Sequence, residues 1–161
     1  MKIRKIRGSE IDFLWNFEKE NRGYDRKLLG EKFKPFYISD TNEGEKKSWL
    51  EEVKKAFQKN NVLILVAEEK GHLIGYIWVK THFLNYLKPK KKVGYINELF
   101  VKKEFRGKGV SSKLMEKVLD WFKGQRIGFV SLGVFAQNSA AINLYKKFGF
   151  ELFYSYMRKK L

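Results

Sequence analysis

The chain has 161 residues, 43% of them apolar and 32% charged; this is enough to bury one ordinary core and well outside the composition of a disordered segment. It holds no cysteine and only His72 and His82 as histidines, which excludes disulfides, zinc thiolate sites and a cysteine nucleophile and argues against a histidine-rich metal site. Lys and Arg (34) against Asp and Glu (18) give +16, a charge that draws polyanions from a distance and that a merely solvated surface would also carry.

Met1 to Arg7, with Ile3 and Ile6 among basic neighbours, reads as a short strand ending at Gly8. It has neither the apolar run of a signal peptide nor that of a membrane span, so the expected location is the cytoplasm. Ser9 offers an N-cap with Asp12 three residues on, ahead of Ile11, Leu14 and Trp15 at helical spacing, and predicts a first helix to about Asn21. From Gly23 to Asp40 the pattern is irregular, with Pro35 inside it, and predicts a loop with one short helix. Glu45 to Lys59 carries Trp49, Leu50, Val53, Ala56 and Phe57 on one helical stripe. Val62 to Ala67 and Leu73 to Val79 are apolar, β-branched runs either side of a turn, hence a hairpin. Lys88 to Lys92 is a polar loop before a further strand, Tyr95 to Val101. A helix follows over Ser111 to Phe122, with Leu114, Val118, Leu119 and Phe122 in phase. Phe129 to Val134 reads as a buried strand, Asn138 as the cap of a helix to Lys147 ended by Gly149, and Phe150 to Met157 as a last strand. The order βααβββαβαβ, without repeat or linker, predicts a single domain over residues 1–161 of α/β class, a mixed sheet with helices on its faces.

Arg106-Gly107-Lys108-Gly109-Val110-Ser111 lies between a strand and a helix start. Unpaired backbone N–H groups and the helix dipole favour an anion there, and glycines let a phosphate approach without a Cβ in the way. A diphosphate suits this geometry, although a plain tight turn would use the same residues. The loop lacks the Gly-Lys-Ser/Thr ending of a nucleotidase loop and the third glycine of the dinucleotide fingerprint.

With this loop, the preceding Asn97-Glu98-Leu99-Phe100-Val101 and the later run from Asn138 through Leu144-Tyr145-Lys146-Lys147-Phe148-Gly149-Phe150, the chain resembles the GNAT superfamily of N-acetyltransferases over roughly Val62 to Met157. The resemblance implies a splayed, mostly antiparallel sheet whose fourth and fifth strands part to admit the pantetheine arm of acetyl-CoA, with the cofactor-binding half at about residues 93–157. It places the arm on the backbone of Leu99, Phe100 and Val101. The pyrophosphate falls on Arg106, Gly107, Lys108, Gly109, Val110, Ser111 and Ser112, and Asn138 and Tyr145 are further cofactor contacts. Arg106 and Gly109 match the family's Arg/Gln-x-x-Gly-x-Gly/Ala pattern, while Ser111 replaces its final small residue. No metal is implied.

Acyl transfer to an amine needs a neutral nucleophile, stabilisation of the oxyanion and a proton for the departing thiolate. By resemblance Glu98 is the general base, acting directly or through water, and Tyr145 the phenol that protonates the thiolate. Against these stand a structural ion pair for Glu98, a packing role for Tyr145 and a simple N-cap for Asn138. Related enzymes that acetylate protein N-termini often carry a carboxylate where this chain has Gly133, which counts against such a substrate. Tyr24, Tyr37 and Trp49 are available as walls of the acceptor site, and equally as core aromatics. The lysines at 88 and 90–92 read as a solvated hairpin tip.

The expected function is therefore acetyl transfer from acetyl-CoA to a primary amine, on a small molecule or a protein lysine or N-terminus, by direct attack in a ternary complex. The homodimer is the assembly the resemblance suggests. Two other classes compete: a CoA-binding module without turnover, and a basic nucleic-acid-binding module. No recognised nucleic-acid motif accompanies the charge, which ranks the latter last. A polycationic acceptor fits poorly with the global charge unless the pocket is locally acidic.

Overall fold

A computed structural model describes residues 1–33, 41–84 and 88–159. Five strands, β1 (Lys2–Lys5), β2 (Val62–Glu69), β3 (His72–Leu84), β4 (Lys91–Val101) and β5 (Val130–Leu132), form one sheet in sequential order. Neighbours are antiparallel from β1 to β4, and β5 runs parallel to β4. The parallel pair is joined by helix α3 (Val110–Gly124), as a parallel crossover requires. Helices α1 (Leu14–Phe33) and α2 (Glu43–Phe57) precede β2, and α4 (Ser139–Lys147) follows β5. No helix among the described residues is long and apolar enough to cross a membrane.

The strands form because their residues alternate between two apolar environments. Ile64, Val66, Tyr76, Trp78 and Phe100 face one core with Trp15, Phe17, Trp49 and Val53 of α1 and α2. Leu65, Ile77, Val79, Ile96 and Val101 face the other, with Leu114, Met115, Val118 and Phe122 of α3. Each fully buried side chain of this size is worth about 1.5–3 kcal/mol relative to exposure, so the two layers stabilise the sheet from both faces. The ring of Phe122 presses so closely on β4 that a Cβ at Gly94 would lie 2.6 Å from it.

Several boundaries differ from the sequence reading. The first helix is entered through a 3-10 turn, Gly8–Phe13, capped by Glu10 accepting from the Arg7 N–H at 2.9 Å. Asp12 instead pairs with Lys54 at 2.6 Å. Helix α1 continues past Asn21 to Phe33, with a break in helical geometry at Gly30. Packing of Phe17 and Leu29 in the interior overrides the modest helical cost of Gly23. Asn42 caps α2, its side chain accepting from Glu45 N–H at 2.9 Å. Strand β4 begins at Lys91, so Lys91 and Lys92 belong to the strand and pair with Leu84 and Phe83.

The C-terminal half departs further. In place of a buried strand from Phe129 to Val134, β5 has three residues, and Phe129 is 73% exposed. Phe150 to Met157 forms no strand. Strand geometry needs a ladder partner, and past the Phe150 N–H bond to Tyr145 O at 3.1 Å, which closes α4, this segment joins no strand of the sheet and leaves Leu152, Phe153, Tyr154, Tyr156 and Met157 exposed.

Candidate active site

The site is organised by one irregularity in β4. Trp78 pairs with Glu98 but Val79 pairs with Ile96, so Asn97 is an extra residue in the ladder. An extra residue reverses which face later side chains occupy. Ile96 faces the α3 core while Phe100, in phase with Glu98, faces the α1–α2 core. Pairing of β4 with β5 covers Gly94 to Ile96 and stops there, so the two strands part where the bulge begins. The edge of β4 from Glu98 to Val101 has no strand partner on that side among the described residues. Asn97 Oδ1, at the point of divergence, is buried without a hydrogen-bond partner.

Beyond β4 a short 3-10 turn, Lys103–Phe105, leads into the glycine loop. Gly107 (φ 75°) and Gly109 (φ 77°) both adopt left-handed backbone, which a side chain would strain. Gly109 is the N-cap of α3 and no side chain caps the helix. The N–H groups of its first turn are therefore available to an anion, which the helix dipole favours. A Cβ at either glycine would meet nothing within 4 Å, so the loop faces open space. Lys108 extends over the Phe105 ring at 5.3 Å. Arg106 turns inward: its Nε donates to Val101 O at 2.9 Å, and its guanidinium stands over the Tyr24 ring at 4.9 Å.

Glu98 lies on the opposite face from α3, amid buried polar groups. Tyr76 O–H donates to its Oε2, and the Trp49 indole supplies a second hydrogen bond. Glu98 is half-buried as a residue, yet its carboxyl meets buried Tyr76 and Trp49. Desolvation there, reinforced by the charge of Glu18, outweighs both hydrogen bonds and pushes its pKa up to about 8. Burial and the Glu98 charge together hold the Tyr76 phenol well above its ordinary value.

Helix α1 borders this group. Phe17 stacks on Tyr76 with ring centroids 5.7 Å apart. Glu18, 6% exposed, accepts from Arg22 Nε at 2.5 Å. Burial raises the Glu18 pKa against the pull of Arg22, and burial followed by the Glu18 charge pushes Asp25 up to about 6.

Tyr145 occupies the other side of the sheet, half-buried among the residues packed on the α3 core and edge-on to Phe150 at 5.9 Å. Desolvation pushes its phenol up to about 12. Asn138 Oδ1 accepts from Ala141 N–H at 3.1 Å, capping α4. Two surface grooves on α2, of about 310 and 230 Å³, are lined by residues such as Lys46 and Lys54, or Glu52 and Lys59. Neither includes Glu98. Among the described residues no group of three or more His, Asp or Glu is placed to hold a metal ion.

A parted parallel pair beside an uncapped, glycine-entered helix is the arrangement the resemblance implied, and the acetyltransferase (GNAT) family profile matches residues 27–150. The chain belongs to the GNAT family. Among GNAT relatives it is 29% identical over 151 residues to an uncharacterized N-acetyltransferase of Methanocaldococcus jannaschii, covering 92% of this chain and 60% of that protein. The chain thus spans about three-fifths of that relative's length. A tetramutant of the BH1408 protein of Bacillus halodurans has the same fold at TM-score 0.85 and 19% identity, covering both chains fully. A predicted acetyltransferase of Clostridium acetobutylicum, solved with acetyl-CoA, matches at TM-score 0.76 and 17% identity, over 99% of this chain and 95% of that one.

The GNAT fold distributes the residues singled out from sequence over four places, one of them α4 with Asn138 at its cap and Tyr145 within it. Leu99, Phe100 and Val101 line the free β4 edge, Gly107 to Ser112 form the loop and first turn of α3, and Glu98 faces α1. Tyr24 and Trp49 both border this region, Trp49 as a donor to Glu98, whereas Tyr37 lies outside the described residues. Sequence reasoning missed Tyr76, Glu18 and Arg22. The i,i+4 spacing of Glu18 and Arg22 was visible in the sequence, but nothing there showed the pair to be buried.

Proposed function

We propose that this chain transfers an acetyl group from acetyl-CoA to a primary amine by direct attack in a ternary complex, and that residues 1–161 act as one N-acetyltransferase domain with its cofactor half at about 93–157. The observation that carries this reading is the parting of β4 from β5 at the Asn97 bulge, with Glu98 turned to one face and the α3 N-terminus open at the end of the gap.

In this reading the free backbone of Leu99 to Val101 pairs with the pantetheine amides. The N–H groups from Gly107 to Ser112 receive the pyrophosphate, with Lys108 adding charge. Arg106 acts from the strand end, where it fixes Val101 and Tyr24, and the cap residue Asn138 adds a contact through its amide N–H₂. Glu98, as carboxylate, takes a proton from the acceptor ammonium. The neutral nitrogen forms a C–N bond at the thioester carbonyl, the C–S bond breaks, the thiolate takes the Tyr145 proton, and the second proton lost by the nitrogen passes through solvent to restore the Tyr145 phenol. A phenol held near 12 is fully protonated at neutral pH and can donate it.

Isothermal titration with acetyl-CoA tests the reading, comparing wild type with Gly109→Glu, whose carboxylate would block and repel the pyrophosphate. Binding by wild type that is lost in a folded Gly109→Glu supports it, and thiol release on adding primary amines then separates turnover from binding alone. No binding by wild type at low salt would overturn it.

A further inference from the structure

The sheet ends at β5, which pairs with β4 on one side and has no partner on its other edge among the described residues. Phe129 and Val134, which flank β5, are exposed, and no residue from Gly128 to Lys159 is buried. A free sheet edge offers a row of unpaired N–H and C=O groups to any segment able to form a ladder.

The same chain carries such a segment. Within Phe150 to Met157, Phe150, Leu152, Tyr154 and Tyr156 share one phase of a strand, and Phe153 and Met157 share the other, a composition rich in the aromatic residues that strands favour. Yet the segment joins no strand of its own protomer. Leu152, Phe153, Tyr154, Tyr156 and Met157 are 66–100% exposed and belong to neither core. At roughly 150–250 Å² for an aromatic side chain, Phe153, Tyr154 and Tyr156 alone expose about 350–600 Å². That is already the size of the largest apolar patch on an ordinary monomer. Leu152 and Met157 bring the total close to the roughly 800 Å² that each side of a stable interface buries.

We propose that residues 151–157 of a second copy of this chain add a strand to the free edge of β5, two copies exchanging their C-terminal segments about a two-fold axis. The free edge and the unpaired apolar segment are complementary, and they do not meet within one protomer. A foreign chain on β5 covers the edge but leaves this chain's own segment exposed. Only a copy supplies both halves, and reciprocal exchange closes the assembly at two. The exchange also bears on the site. β5 is the far wall of the gap that opens at Asn97, yet it has three residues and none is buried. A strand laid behind β5 finishes that wall, so the gap is complete only in the dimer.

The test uses the full chain, with sedimentation equilibrium for its state of association and mass-spectrometric amide hydrogen exchange for the segment. The expected result is a dimer in which the amides of 151–157 exchange slowly. Successive N–H groups of a strand point to opposite sides, so of Tyr154→Pro and Ser155→Pro at least one removes a donor from the new ladder. Neither residue belongs to a protomer core, so the amides of β2 to β4 should exchange as in wild type. The variant that loses the donor should need about tenfold or more higher concentration to dimerise, and its 151–157 amides should exchange about tenfold or more faster. Wild type that stays monomeric at high micromolar concentration would overturn the proposal, and protection of 151–157 in that monomer would mean that the segment pairs with its own β5. A dimer whose 151–157 amides exchange freely, or that neither proline variant weakens, would also overturn it and put the contact on another face.

Discussion

Removing the Tyr76 hydroxyl isolates how Glu98 is tuned. Tyr76 is fully buried and donates to Glu98 Oε2, and this bond lowers a pKa that burial and the Glu18 charge raise from 4.5 to about 8. A hydrogen bond to a charged group contributes about 1.5–3 kcal/mol. At 1.36 kcal/mol per unit, Tyr76→Phe should therefore raise the Glu98 midpoint by about one to two units. The Trp49 indole remains, so the carboxyl still titrates. Carboxyl ¹³C shifts of the labelled protein read the midpoint directly, and the alkaline-side rise of acetyl transfer should move with it once an acceptor is in hand. A midpoint that stays near 8 or falls would show that Tyr76 does not support the ionised form, and the account of Glu98 as a base poised by its two donors would fail.

Stability should respond to pH on both sides. Asp25 and Glu98 have folded-state values raised to about 6 and about 8, so their contributions are present below the ordinary values of 3.8 and 4.5 and are lost as pH rises through 6 and 8. Glu98→Gln should flatten the upper part of a melting temperature–pH curve. Glu10 is held down to about 2, chiefly by its hydrogen bond from Arg4, so its contribution is present above 4.5 and disappears as pH falls through 2; Glu10→Gln should remove that acid-side loss in the same melts. Gly94→Ala places a Cβ against the Phe122 ring and should cost about 1–3 kcal/mol, read by denaturant unfolding and relieved by adding Phe122→Leu. Deleting Asn97 should remove the bulge while leaving Val79 opposite Ile96 and Trp78 opposite Glu98, so Glu98 should keep its face and its midpoint should still rise in Tyr76→Phe, read by the same carboxyl shifts.

The strands of the hairpin, the stripe of α2 and the apolar phase of α3 were legible because each rests on local periodicity, and Trp49, Leu50, Val53 and Ala56 are all buried, whereas Phe57, read as the last member of that stripe, ends the helix exposed. The glycine loop was legible for a related reason, since the two left-handed positions at Gly107 and Gly109 are written directly in residue type. The length of α1 was not. Gly23 and Gly30 argue locally for a loop, and only the contacts of Phe17 and Leu29 with the rest of the molecule decide otherwise. The last strand fails for the opposite reason: Phe150 to Met157 has the composition of a strand, but pairing is a property of two segments, and β5 ends after three residues.

Glu98 shows where sequence reading stops at the site itself. The motif identified the residue, but alternation counted along β4 would set it on the face of Ile96, against α3. The single unpaired residue at Asn97 reverses that, and with the reversal come all of its neighbours: Tyr76 and Trp78 from β3, Trp49 from α2, Glu18 from α1. The bulge also ends the pairing with β5. One insertion in the ladder thus frees the β4 edge for an extended ligand on one side and turns a carboxyl towards the helices on the other. Deleting Asn97 closes that insertion without moving Glu98 from its place opposite Trp78, so it should separate the two features: the β4 edge loses its gap while the Glu98 carboxyl keeps its neighbours and its raised midpoint.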